Sequence, residues 1–154
     1  MNIGIIVYSQ TNNTYSVAQK LQDKLSAEGH EVNIERVVPV GKVNPGEINV
    51  NFESQPDTDP YDALIFGSPV HAFNLAPAMN AYLNQISSLQ EKKIACFVTK
   101  GLPLDSTGGN QAIKQMKNIC QSKGGAVIGT GIVNWSMGRE KKIAKLLSRF
   151  SALF

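Results

Sequence analysis

The stretch Ile3-Gly4-Ile5-Ile6-Val7-Tyr8-Ser9-Gln10-Thr11-Asn12-Asn13-Thr14 joins an apolar run to a polar loop and opens a helix. Its first half is rich in β-branched residues and shows no alternation of polar and apolar positions. Such a run reads as a strand buried on both faces of a parallel sheet. From Thr14 to Glu28, Val17, Ala18, Leu21 and Leu25 recur at helical spacing, and Gly29 ends the pattern. The six small polar residues Ser9–Thr14 therefore sit at a helix N-terminus, where unpaired N–H groups and the macrodipole favour an anion. The loop has no Lys or Arg. A neutral cradle of hydroxyls, carboxamides and N–H groups suits a phosphate monoester held by hydrogen bonds. Plain helix capping by Thr11, Asn12 or Asn13 is the simpler alternative, but a cap needs only one such residue.

The same alternation continues along the chain. Further apolar runs lie at Glu31–Val37, Ala63–Gly67, Ile94–Thr99 and Ala126–Val133. Helical patterns cover Ala76–Ile86, with Pro77 in the first turn, then Asn110–Lys123 and Glu140–Phe150. Between Pro39 and Pro60 the pattern fails. Four prolines, two glycines and several Asn and Asp predict a long loop, with a short strand at Ile48–Phe52. A crossover helix is expected to be short or missing there. Five strands alternating with helices predict an α/β fold, a three-layer doubly wound sheet of five parallel strands forming one domain over residues 1–154. Such sheets bind ligands beyond the carboxyl ends of their strands, where strand order reverses.

At those carboxyl ends the residues resemble the flavodoxin family. Ser9, Thr11 and Thr14 match its phosphate loop, usually written T/S-x-T-G-x-T. Asn12 stands where the family has Gly, and Asn tolerates left-handed backbone better than most residues. Tyr61-Asp62-Ala63-Leu64-Ile65-Phe66-Gly67-Ser68-Pro69-Val70 resembles the family's YDxxxxGSP segment. The resemblance implies that Ser68, Pro69, Val70, His71, Ala72 and Phe73 line a flavin ring. Thr99-Lys100-Gly101-Leu102-Pro103, continuing to Thr107-Gly108-Gly109-Asn110, corresponds in place to the second ring loop, with Thr99, Lys100, Gly101, Gly108 and Gly109 as candidate contacts. Ser9, Gln10, Thr11, Asn12, Asn13 and Thr14 would hold the phosphate. The implied cofactor is FMN, and no side chain is implied as catalytic. Electron-transfer flavodoxins often carry Trp and Tyr on the two ring loops, and this chain has neither there.

Composition bounds the alternatives. The chain has 154 residues, 42 % apolar and 18 % charged, an ordinary globular make-up. No apolar stretch approaches the roughly 20 residues of a membrane span. The N-terminus runs straight into Ile3–Val7 without a basic lead, so a cytoplasmic protein is expected. Cys96 and Cys120 read as reduced, buried thiols, and His30 and His71 are too scattered to suggest a metal. The net charge is +3, with basic residues thickest in the last helix (Arg139, Lys141, Lys142, Lys145, Arg149). That reads as a solvated face rather than a nucleic-acid footprint. Ser9–Thr14 lacks the G-x-G-x-x-G of nicotinamide sites. Tyr8–Ser9 and Gly67–Ser68 lack the acids of a phosphate-accepting receiver, and Ser68 lacks the G-x-S-x-G elbow of a hydrolase. A cobalamin motif, D-x-H-x-x-G, is absent around His71.

Three functions remain as expectations. The first is an FMN-binding electron carrier serving a redox partner protein or a small electron acceptor. The second is an FMN-dependent reductase of quinones with a nicotinamide donor, in which His71 or Lys100 meets the substrate. The third is a binding module without flavin affinity, suggested by Asn12. Electron-carrying flavodoxins are usually acidic, so a net-positive chain implies different partners. The apolar stripe Ile143, Leu146, Leu147 and Phe150 reads as core, and a monomer or weak homodimer is expected. Trp135 is expected to pack, and Leu153 and Phe154 are open between core and contact.

Overall fold

A computed structural model describes residues 1–101, 104 and 107–154. The central sheet runs in the order β2-β1-β5-β7-β8, all parallel. Its strands are β1 (Asn2–Val7), β2 (Glu31–Arg36), β5 (Ala63–His71), β7 (Lys93–Lys100) and β8 (Ala126–Asn134). The short strands β3 (Val38–Pro39), β4 (Phe52–Ser54) and β6 (Asn74–Leu75) lie outside that path. Helices α1 (Asn13–Ala27) and α4 (Arg139–Leu153) cover one face, and α2 (Pro77–Gln85) and α3 (Gly109–Ser122) cover the other. The expected three-layer sheet is therefore present.

Two cores result, one on each face. Leu21 and Leu25 of α1 meet Ile3, Ile5, Phe97 and Phe150 on the first. Met79 and Tyr82 of α2 and Met116 and Cys120 of α3 meet Phe66, Ile94 and Cys96 on the second. Each fully buried aliphatic side chain contributes about 1.5–3 kcal/mol of transfer free energy. The central strands are apolar without alternation because both their faces are covered. Cys96 and Cys120 are both free and buried, and the Cys120 thiol beside it, together with burial, holds the Cys96 thiol well above its usual pKa. Helix α1 ends at Gly29, where His30 N–H bonds Leu25 O at 3.2 Å and Gly29 N–H bonds Ser26 O at 3.1 Å. This pair of bonds closes the orphan carbonyls.

Several boundaries differ from the sequence expectation. The expected strand at Ile48–Phe52 lies instead at Phe52–Ser54, where it pairs antiparallel with Val38–Pro39. The Ile48 and Val50 carbonyls are taken by Gln85 Nε2 at 2.8 and 2.9 Å, so that stretch does not enter a ladder. The third parallel strand continues past Gly67 to His71, because Asn74–Leu75 folds back and pairs with Val70 and His71. Helix α4 extends to Leu153, which packs against Gly129. No helix joins β2 to β5 among the described residues, as the composition of that segment led us to expect.

Candidate functional site

Strand order turns at β1, which has β2 on one side and β5 on the other. Its carboxyl end is therefore the switch point at which ligands of such sheets bind. Tyr8 N–H bonds Gly67 O at 3.1 Å, and the chain then leaves the sheet as Ser9–Asn12. Asn12 has φ 66° and ψ 0°, the left-handed geometry that its place in the loop demands. Ser16 N–H closes the first helical turn on Asn12 O at 2.9 Å, and Tyr15 N–H reaches Ser9 Oγ at 3.3 Å. Asn12 makes no side-chain cap, and the first turn holds no acidic residue. Backbone N–H groups at the start of α1 are thus left for an anion.

Arg36 is the residue the sequence reading missed. Its Nη2 donates to Asn12 Oδ1 at 3.3 Å, and its guanidinium lies 3.9 Å from the Tyr15 ring centre. The signal was available in principle, because parallel pairing sets the last residue of β2 beside Val7. It needed the strand order, which single-sequence reading does not supply.

The second loop is a hairpin tip. Ala72 and Phe73 form a two-residue connection with φ 48° and 65°, as in the primed turns that suit twisted strands. Neither is Gly or Asn, so each residue carries strain on the order of 1 kcal/mol. Ser68 is buried, Pro69, Val70 and His71 are half-buried, and Ala72 and Phe73 are exposed, with Phe73 at 58 %. His71 meets the Tyr8 ring edge-on, with centres 6.2 Å apart. Burial lowers the pKa of His71, so its imidazole is neutral at pH 7. Burial raises that of the Tyr8 phenol, against a hydrogen bond from Gln10.

The third loop follows β7. Thr99 and Lys100 are buried, and Gly101 is exposed. The Lys100 ammonium donates to Leu104 O and, at 2.7 Å, to Thr107 Oγ1, which turns it into its own loop. Gly108 and Gly109 are buried at the start of α3. Leu102 and Pro103, which complete this segment in the sequence, lie outside the described residues. Trp135 packs against the α1/α4 core, with Arg139 4.8 Å above its ring centre.

The three loops touch one another. Thr14 Oγ1 and Thr99 Oγ1 share a buried hydrogen bond of 2.8 Å, joining the first loop to the third. Gly108 has φ +102°, and a Cβ there would stand 2.6 Å from Phe73 Cα, joining the third to the second. Tyr8 and His71 join the first to the second. Replacing Thr99 by valine leaves the Thr14 hydroxyl buried without that partner. We expect a loss of roughly 1–2 kcal/mol in a urea unfolding curve, with Thr99→Ser recovering most of it. An unchanged midpoint in Thr99→Val would show that the hydroxyl pair does not matter.

Comparison with known proteins bears on the family and the fold. A family model described as a flavodoxin domain matches residues 5–131. No curated protein matches the sequence. Among solved structures, oxidised flavodoxin 2 from Bacillus cereus has a TM-score of 0.73 at 20 % identity, over 99 % of this chain and 96 % of that one. A flavodoxin from Streptococcus pneumonia TIGR4 has a TM-score of 0.70 at 15 % identity, over 100 % of both chains. A flavoprotein in complex with FMN from Lactobacillus acidophilus NCFM has a TM-score of 0.67 at 17 % identity, over 94 % of this chain and 97 % of that one. At these identities the structures bear on the fold alone.

Proposed function

The chain belongs to the flavodoxin family, and from that premise we propose that it binds FMN and passes electrons through it to a redox partner protein or a small electron acceptor. The observation that carries this reading is the contact of three loops at the carboxyl ends of β1, β5 and β7. Phosphate would be held by the N–H groups opening α1 and by the hydroxyls of Ser9 and Thr11, with Arg36 adding a positive charge at the rim. The left-handed Asn12 gives this loop the geometry for which the family uses glycine. Residues 8–16 include no carboxylate to oppose the anion. Ser68–Phe73 and the pair of segments Thr99–Gly101 and Gly108–Gly109 would border the ring. FMN, when bound, supplies one- or two-electron transfer, while the protein orients it and tunes its potential.

The test is titration of FMN into the protein, followed by flavin fluorescence, with Ser9→Ala/Thr11→Ala beside it. Tight quenching that the variant loses supports the proposal. No quenching at roughly tens of micromolar protein would overturn it and leave a binding module without flavin.

One observation favours a reductase over a carrier. The described parts of both ring loops bear no Trp or Tyr, and Phe73 points to solvent, so no indole or phenol from these loops covers the ring. Turnover with a nicotinamide donor and a quinone separates the two readings. The apolar stripe of α4 is spent on the core, with Ile143, Leu146 and Phe150 all buried, which supports a monomer or weak homodimer. No helix among the described residues is long and apolar enough to cross a membrane.

A further inference from the structure

A cavity opens beside the proposed flavin loops, where a crossover helix between β2 and β5 would otherwise lie. Its volume is about 750 Å³, within the range that holds a small organic ligand. One wall is the arm from Pro39 to Gly46, which replaces the helix. The opposite wall is the β5–β6 hairpin with the first turn of α2. We propose that this cavity is a second binding site and that it takes a planar aromatic carboxylate.

The chemistry of its lining points to that class. Val43, Leu75 and Pro77 supply apolar surface, and the Tyr8 and His71 rings stand at its edge. Among the described residues Lys42 is the one formally charged residue lining it, and no carboxylate does. Helix α2 starts against the cavity at Pro77, without a side-chain cap and without an acid in its first turn, so its dipole adds to the positive field. The polar floor is already ordered. Gln115 Oε1 accepts from Leu75 N–H at 2.8 Å, Gln115 Nε2 donates to Asn74 Oδ1 at 3.0 Å, and Asn74 Nδ2 donates to Ala72 O at 3.0 Å. An apolar cavity edged by two rings, with one cation and fixed amides in its lining, favours an aromatic body bearing a single negative charge. Gln10, His71 and Ala72 belong to this cavity as well as to the proposed flavin loops, so the hairpin is a shared wall.

The site is tested with 2-naphthoate, whose own fluorescence anisotropy reports binding, against methyl 2-naphthoate as the uncharged isostere. Protein is used both alone and saturated with FMN, so the result stands whether or not flavin binds. We expect saturable binding of the acid with a Kd of about 100 µM. The ester and the Lys42→Met variant should each bind about tenfold more weakly. Val43→Trp, on the solvent-facing arm, should fill the slot and abolish binding while leaving FMN affinity and the unfolding midpoint unchanged. Equal affinity for acid and ester, undiminished binding in Val43→Trp, no saturation, or one-for-one displacement of naphthoate by FMN would each overturn the proposal. The last result would assign the cavity to the flavin itself.

Discussion

Gly108→Val is expected to weaken FMN binding by about 100-fold, or ~2.7 kcal/mol, while leaving the sheet folded. Two independent costs act at this position. The backbone has φ +102°, which strains any residue with a Cβ by about 1–3 kcal/mol. The added Cβ would also stand 2.6 Å from Phe73 Cα and 2.8 Å from Val70 Cγ1. The first of these neighbours is main chain and cannot rotate away. The hairpin tip and the start of α3 must part, and that contact holds the two segments proposed to border the flavin ring. Gly138→Ala is the control, because Gly138 also has positive φ but nothing lies within 4 Å of its Cβ position. It should lose only the strain part of the stability cost and no FMN affinity. Fluorescence titration of both variants, with riboflavin in parallel, decides the matter. Wild-type affinity in Gly108→Val would sever the link between this contact and the cofactor.

A second large effect is expected at the start of the same segment, but on stability. Gly67 pairs in register with Phe97 on the neighbouring strand, and the Phe97 ring lies across the space a Cβ would need. The nearest ring atoms stand 2.3 and 2.6 Å from that position. Phe97 is fully buried between the sheet and α1, so its ring has nowhere to go. Gly67→Ala should therefore cost about 2–3 kcal/mol, the upper part of the range for overpacking a core. Phe97→Leu alone should cost less, and the double variant should regain part of the loss, because the two changes act on one space. Urea midpoints of the four proteins measure this coupling. Simple additivity of the two single variants would mean that the ring is not the obstacle.

These positions mark how far the sequence was legible. The central strands could be read because both their faces are covered, which makes Ile3–Val7, Ala63–Gly67 and Ile94–Val98 continuously apolar. Gly29 and Gly124 marked helix ends because their backbone geometry excludes most other residues. The hairpin at Ala72–Phe73 was not legible, since a tight turn with two positive φ values is normally announced by Asn-Gly or Asp-Gly. The strand at Phe52–Ser54 was placed several residues early. Ile48 and Val50 look like strand residues, and only the distant Gln85 side chain settles where their carbonyls go. The phosphate loop was visible as a polar run before a helix, whereas Arg36 comes from another strand and needed the sheet order. Lys100 looked like a group offered to a substrate. Its neighbours in space, Leu104 and Thr107, draw the ammonium inward.

The helix-free crossing from β2 to β5 bears on how the molecule assembles. Every other step between parallel strands carries a helix of its own, as in β1-α1-β2, β5-α2-β7 and β7-α3-β8. Those units gather contacts between sequence neighbours, the kind that form early. The β1–β5 pairing has no such local scaffold and must close a long segment for which loop entropy is lost before contacts repay it. The two halves of the sheet are thus expected to form separately and to join late along the β1–β5 seam. The proposed phosphate and ring loops lie on opposite sides of that seam. A molecule bridging them would bind only the joined state and would raise the barrier to reopening it. On this topology, a redox cofactor would also be the clasp that keeps the chain folded.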